Sequence, residues 1–250
     1  MLDKHKSKKL SEMGYVDICR PVNNEEKLAE QAKKIGYTEV VFLYEFKHKQ
    51  EIEVKKKELK FVEKKLEVKI HTGTLISLKK PANLRLARAL YLESDLIAAK
   101  SSGFEKITRA ILSQKRIDIT CGIATVLGRD YVYGARSGLN QVLARLAAKS
   151  GQAYGIDFSE ILHEKERKKL LRRITHNVKI CQSCKVPIVL ASFASDPSDM
   201  RWPQDLVAFA EVLGIKEPKK VVGENIITVL RRKAELRSPA FVRPGVKIVS

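Results

Sequence analysis

The side chains able to do chemistry are few and scattered along the chain. There are five histidines, His5, His48, His71, His163 and His176, and four cysteines, Cys19, Cys121, Cys181 and Cys184. Metal-assisted hydrolysis needs several histidines and carboxylates converging on one place, because a divalent cation requires that many deprotonated ligands. In a β/α barrel that place is the C-terminal ends of the strands. The residues read at those ends are Arg20, His71, Lys100, Cys121, Asp157, Ser192 and Gly223, a poor set of catalysts. Among the histidines only His71 falls where a ligand would, and a half-exposed strand histidine is the plainer reading of it. Asp157 could accept a proton, but a lone carboxylate among arginines more simply anchors one of them.

Other catalytic patterns are missing. A metal phosphoesterase barrel of the polymerase-and-histidinol-phosphatase type carries His-x-His after its first strand; here that position reads Asp17-Ile18-Cys19-Arg20. Cys181-Gln182-Ser183-Cys184 has Cys-x-x-Cys spacing without a second pair, and it ends a helix with Cys181 on the apolar stripe, so a packed core cysteine is expected. No Gly-x-Ser-x-Gly elbow and no phosphate-cradling Gly-Lys-Ser loop occurs. The expectation is a chain with no catalytic residues and no metal site.

Positive charge is the stronger signal. Lysine and arginine number 48 against 29 acidic residues, a formal net charge of +19. A compact fold with that charge repels itself unless a polyanion sits nearby, and nucleic acid is the commonest such partner. Arg20 follows the first strand, Lys100 ends the fourth, and Arg136 lies in Gly134-Ala135-Arg136-Ser137-Gly138 before a helix. An arginine among glycines at a helix start suits phosphate, since its planar fork bonds two oxygens while free backbone N–H groups take others. The candidate RNA contacts are Arg136, Lys100, Arg20, Arg116, Arg145, Lys179 and Arg201, with Arg136 first. Aromatic residues are only 6% of the chain and no stacking motif is present, so contact with the phosphate backbone is expected in preference to base reading.

The elements that must position these residues follow from periodicity. Short β-branched runs alternate with amphipathic helical patterns, the mark of parallel βα units. Strands are read near Tyr15 to Cys19, Thr38 to Leu43, Leu66 to His71, Asp95 to Ala99, Ile117 to Thr120, Gln152 to Asp157, Pro187 to Ala191 and Lys220 to Val222. A helix on Leu28, Ala32 and Ile35 has Asn23 as its N-cap and Gly36 beyond its end. Others carry Leu139, Val142, Leu143 and Leu146 before Gly151, and Leu206, Phe209, Ala210 and Leu213 between Pro203 and Gly214. One long helix follows Ser159 toward Cys184. Lys55 to Lys65 reads as a solvated helix. The 250 residues, 44% hydrophobic, suit one α/β domain, a TIM-like (β/α) barrel over 15–235 with basic, irregular ends at 1–14 and 236–250. An open doubly wound sheet is the rival, but its first βα turn would be glycine-rich, and here it is Arg20-Pro21-Val22-Asn23-Asn24. No apolar run reaches the length of a membrane span, no signal peptide is visible, and the four cysteines form no disulfide framework, so a cytoplasmic protein is expected.

The chain resembles a known family at several of these places. Tyr15-Val16-Asp17-Ile18-Cys19-Arg20-Pro21, Arg136-Ser137-Gly138-Leu139-Asn140-Gln141-Val142-Leu143, Gly155-Ile156-Asp157-Phe158-Ser159-Glu160-Ile161-Leu162, the stretch from Asn177 to Ser192, and Arg201-Trp202-Pro203-Gln204-Asp205-Leu206 are similar in order and spacing to ribonuclease P protein component three of archaea. The eukaryotic relative of that family is the thirty-kilodalton ribonuclease P subunit. Phe46 to Lys69 and the final tail match weakly. The resemblance implies a TIM-like barrel without metal ligands that binds ribonuclease P RNA together with the small, ferredoxin-like component two. In such an assembly the RNA cleaves the 5′ leader from precursor tRNA using magnesium, and this chain holds no cofactor. The alternatives are a stand-alone metal-dependent phosphoesterase, with His71 and Asp157 as its remnant, and a scaffold that binds mainly protein.

Overall fold

The computed structural model describes residues 14–77, 84–125, 130 and 136–238, with the backbone of 241–243 and 246–247. The N-terminal extension, apart from Gly14, and Gly134-Ala135 lie outside the described residues. Seven parallel strands run in sequence order around a nearly closed barrel: β1 (Val16–Cys19), β2 (Glu39–Tyr44), β3 (Lys69–Ser77), β4 (Leu96–Lys100), β5 (Ile119–Cys121), β6 (Ala153–Asp157) and β7 (Ile188–Ala191). Between them lie α1 (Glu25–Lys34), α2 (Lys49–Leu66), α3 (Leu84–Leu90), α4 (Glu105–Leu112), α5 (Gln141–Ser150), α6 (Phe158–His163) and α7 (Arg167–Ser183). After β7 come α8 (Pro203–Val212) and α9 (Asn225–Arg237). The TIM-like expectation holds, with one barrel strand fewer among the described residues than expected.

Strand parity divides the molecule into layers. Val16, Ile18, Val41, Leu43, Leu96, Ala98, Ile119, Ala153, Val189 and Ala191 point into the lumen, where they form one buried cluster. The alternate residues, such as Val40, Phe42, Ile97, Ala99, Ile156 and Leu190, pack beneath the helices. Gly73 belongs to the lumen set by register, opposite Leu43 and Leu96. A Cβ there would approach Leu43 Cδ2 to 2.6 Å, so the position leaves room for the two leucines.

The expected eighth strand at Lys220 to Val222 is absent. Lys220–Glu224 forms a π-helical turn that leads directly into α9 and packs against both β1 and β7. A short β-branched run cannot by itself distinguish a strand from a buried helical turn, and Val221 and Val222 are buried here in the helical form. Ile226, Ile227, Val229 and Leu230 of α9 then join the lumen cluster. The helix is tied down by charge. Asp118 accepts from Arg232 at 2.9 Å and lies 3.3 Å from Lys233, whose ammonium also donates to the Tyr91 carbonyl at 2.6 Å. Arg237 reaches the Leu92 carbonyl and Asp95.

With that strand missing, β7 and β1 meet at a seam. Cys19 and Ala194 form a single parallel bridge, and the Arg20 N–H donates to the Ala194 carbonyl at 2.8 Å. Beside it the buried Asp17 carboxylate accepts from the Ser192 N–H at 2.8 Å, from the Ser192 hydroxyl and from the Ile18 N–H at 2.9 Å. Burial pushes the Asp17 carboxyl up to about 6 against these hydrogen bonds.

Several boundaries differ from the sequence expectation. Helix α2 continues through Leu66 and stops at Glu67, which is left-handed (φ 55), so β3 starts later than expected and runs on to Ser77. His71 therefore lies near the start of its strand and not at its end. The N-cap of α1 is Asn24, while Asn23 takes the left-handed conformation. The long helix expected after Ser159 is two helices: Glu164 is extended, and Arg167 donates to the Ile161 and Leu162 carbonyls at 2.9 and 2.6 Å, satisfying the end of α6. Pro203, Gly214 and Gly151 bound their helices as expected. The tail, expected to be irregular, includes an antiparallel pair of short strands, β8 (Phe241–Arg243) and β9 (Val246–Lys247).

Candidate nucleic-acid interface

Inward parity brings Lys100, Cys121 and Asp157, the last residues of β4, β5 and β6, together with Arg20, the residue after β1, at the C-terminal mouth of the barrel. Arg20 Nη2 lies 3.2 Å from Asp157 Oδ2, and Nε donates to the Phe193 carbonyl at 3.0 Å. The guanidinium also sits 5.9 Å from the centre of the Phe193 ring. Asp157 thus anchors an arginine. It caps α6 as well, accepting from the Glu160 N–H at 2.9 Å, and this turn brings the Glu160 carboxylate 3.4 Å from Lys100 Nζ. Two cations and two carboxylates share the mouth.

In this arrangement each carboxylate faces a cation. Burial, reinforced by Asp157 and Glu160, pushes the Cys121 thiol up to about 12, so the reactive thiolate is scarce at neutral pH. Burial also raises the Asp157 and Glu160 carboxyls, against the pull of Arg20 and Lys100. Among the described residues no group of three or more histidine, cysteine, aspartate or glutamate side chains could hold a metal ion. His71 sits at the other end of the barrel, its Nε2 2.6 Å from Glu39 Oε2, a hydrogen bond that holds the Glu39 carboxyl down at about 2. His71 and Asp157 therefore do not form one site. Cys181 is a buried core residue whose thiol is raised by burial, and Cys184 packs beside the same cluster.

The other candidate cations are distributed unevenly. Arg201 stays near the mouth: it donates to the Ser198 and Met200 carbonyls at 2.8 and 2.9 Å and lies 5.8 Å from the ring centre of Phe158, the residue after Asp157. Arg136 is exposed beside a depression of about 490 Å³ that is also lined by Gly103, Gly138, Asn140 and His176. Its N–H donates to Asp130 at 3.0 Å, and Asp130 is itself paired with the buried Arg173 at 2.8 Å. Asn140 caps α5 by accepting from the Leu143 N–H at 2.9 Å. Arg145 and Lys179 are exposed on α5 and α7. Arg116 is exposed in the turn before β5, at the end opposite the mouth.

Sequence reasoning overlooked Glu160, the partner of Lys100. A signal was available: Asp157-Phe158-Ser159-Glu160 has the spacing of a helix N-cap followed by an acid at the third helical position. Phe193 was also overlooked. It takes a left-handed conformation (φ 49), unusual for a bulky residue, and both its carbonyl and its ring serve Arg20.

Fold and mouth together define a β/α barrel whose strand ends carry ion pairs where a phosphoesterase would need metal ligands. The sequence profile of the family described as RNase P subunit p30 matches residues 14–238, and the chain belongs to that family of ribonuclease P protein subunits. Ribonuclease P protein component 3 of Methanosarcina mazei is 28% identical over 91% of this chain and 90% of its own length. The protein of that name from Methanocaldococcus jannaschii is 26% identical over 94% and 97%. Among solved structures, a chain in the cryo-EM structure of archaeal ribonuclease P with mature tRNA matches with a TM-score of 0.78 at 24% identity, covering 94% of this chain and 98% of that one. The ochratoxinase of A. niger, with a TM-score of 0.52 at 13% identity over 87% of this chain and 71% of its own, shares the fold alone. No helix among the described residues is long and apolar enough to cross a membrane.

Proposed function

We propose that this chain binds the catalytic RNA of ribonuclease P through backbone phosphates and so supports magnesium-dependent removal of the 5′ leader from precursor tRNA. The observation that carries this reading is the mouth layer. In a chain of the ribonuclease P subunit family, Arg20 and Lys100 stand where hydrolytic barrels gather metal ligands, and Arg201 stands nearby. Arg136, exposed and lining a depression of about 490 Å³, extends the positive surface toward the start of α5. Catalysis belongs to the RNA and its magnesium, with no cofactor on this chain. The protein partner is component two, the assembly works in the cytoplasm, and precursor tRNA meets the chain only within it.

The test is reconstitution at low magnesium, with ribonuclease P RNA in the presence and absence of this chain and component two. Adding the chain should raise the cleavage rate. Neutralising Arg136 and Lys100 together should lower that rate and make the salt dependence of RNA binding shallower by about two in log–log slope, about one for each lost phosphate contact. An unchanged slope together with an unchanged rate would remove the reading.

A further inference from the structure

The two ion pairs at the mouth are built differently. Arg20 is fixed from three sides: Asp157 at 3.2 Å, the Phe193 carbonyl at 3.0 Å and the Phe193 ring below. The Asp157 side chain is only 1% exposed, so nothing from solvent can readily take its place. Lys100 has no such cradle. Its ammonium is 3.4 Å from Glu160 Oε1, and the two side chains are 36% and 17% exposed. A lysine ammonium on a flexible stem can turn to a new acceptor without losing a fixed geometry, which a guanidinium fork cannot. Glu160 holds its charge under strain, since burial and the neighbouring Asp157 carboxylate both disfavour it.

We infer that Glu160 is an internal competitor for Lys100, a carboxylate occupying the position on that cation which an RNA phosphate takes on binding. The mouth thus has one locked cation, Arg20, and one exchangeable cation, Lys100, and Glu160 sets how readily the second is released. This assignment rests on the RNA-binding reading above. It makes Glu160 a positioning residue that restrains affinity, so removing its charge should strengthen binding. A residue needed only for the fold would weaken binding when changed.

The experiment measures the affinity of the whole chain, with component two, for ribonuclease P RNA across a salt series. Glu160→Gln keeps the size of the side chain and leaves its N–H bonded to Asp157. It should bind RNA tighter, on the order of five-fold at moderate salt, with a slope steeper by up to about one. Glu160→Ala, which removes the acceptor altogether, should show the same gain. Combining Glu160→Gln with Lys100→Ala should abolish the gain, because the two changes act on one pair. Unchanged or weaker binding by both Glu160 variants overturns the inference, and so does a gain that survives the loss of Lys100. If neutralising Arg136 and Lys100 changes the salt slope while the Glu160 variants are silent, only the competitor role falls. If that neutralisation is silent too, the RNA-binding reading falls with it.

Discussion

Asp17 does at the seam what paired strands do elsewhere in the sheet: its carboxylate accepts the Ser192 N–H that no neighbouring strand carbonyl reaches. With its carboxyl at about 6, the folded chain keeps a proton between about pH 4 and 6 that the unfolded chain has lost. The stability this proton contributes is present below about pH 4 and is lost as pH rises to 6, by at most roughly 3 kcal/mol. Asp17→Asn should remove that share of the pH dependence, read as denaturant midpoints over the acid range; a curve that keeps its slope would show that Asp17 does not titrate there. Arg20, Lys100 and Asp157 could be placed from the sequence because the period of a strand puts its final residues at the mouth. The Lys100 to Glu160 and Asp17 to Ser192 pairs could not, since each depends on a long-range meeting of segments that local patterns do not encode.

Helix α9 is the element on which the barrel's N-terminal end depends. Its apolar face fills the lumen, and Asp118 holds Arg232 and Lys233 at its side. Burial lowers the Lys233 ammonium to about 8 in spite of Asp118, so this pair is held far from water. Removing one member of a buried pair leaves the other uncompensated and costs roughly 3–5 kcal/mol. Asp118→Asn should therefore lower the melting temperature sharply and speed amide exchange along α9; wild-type melting would mean that the Asp118 pair does not hold the helix. Seven strands were legible because each alternates with an amphipathic helix. Lys220 to Val222 misled because two adjacent valines satisfy burial equally well in a π-helical turn, and only the closing geometry of the sheet decides between them. The break at Glu164 was hidden for a similar reason: the apolar stripe continues across it, and the carbonyls it frees are met by Arg167.

For the whole molecule, ion pairs at the mouth and the barrel's base cancel basic against acidic charge one for one, so the excess of 48 basic over 29 acidic residues, a net charge of +19, is left for a partner to neutralise. The chain alone should neither bind manganese stoichiometrically nor hydrolyse phosphomonoesters, because His71 and Asp157 lie at opposite ends of the strands; turnover that survives changing both would reveal a centre elsewhere. The missing eighth strand also bears on synthesis. The lumen is sealed only when α9 is in place, and the seam needs Asp17 to find Ser192, 175 residues further along. A chain growing on the ribosome therefore carries an open sheet with bare valines and leucines until residues beyond Leu230 emerge. No leading piece that stops short of α9 closes the lumen, so the inner face of the sheet stays uncovered until that helix folds onto it.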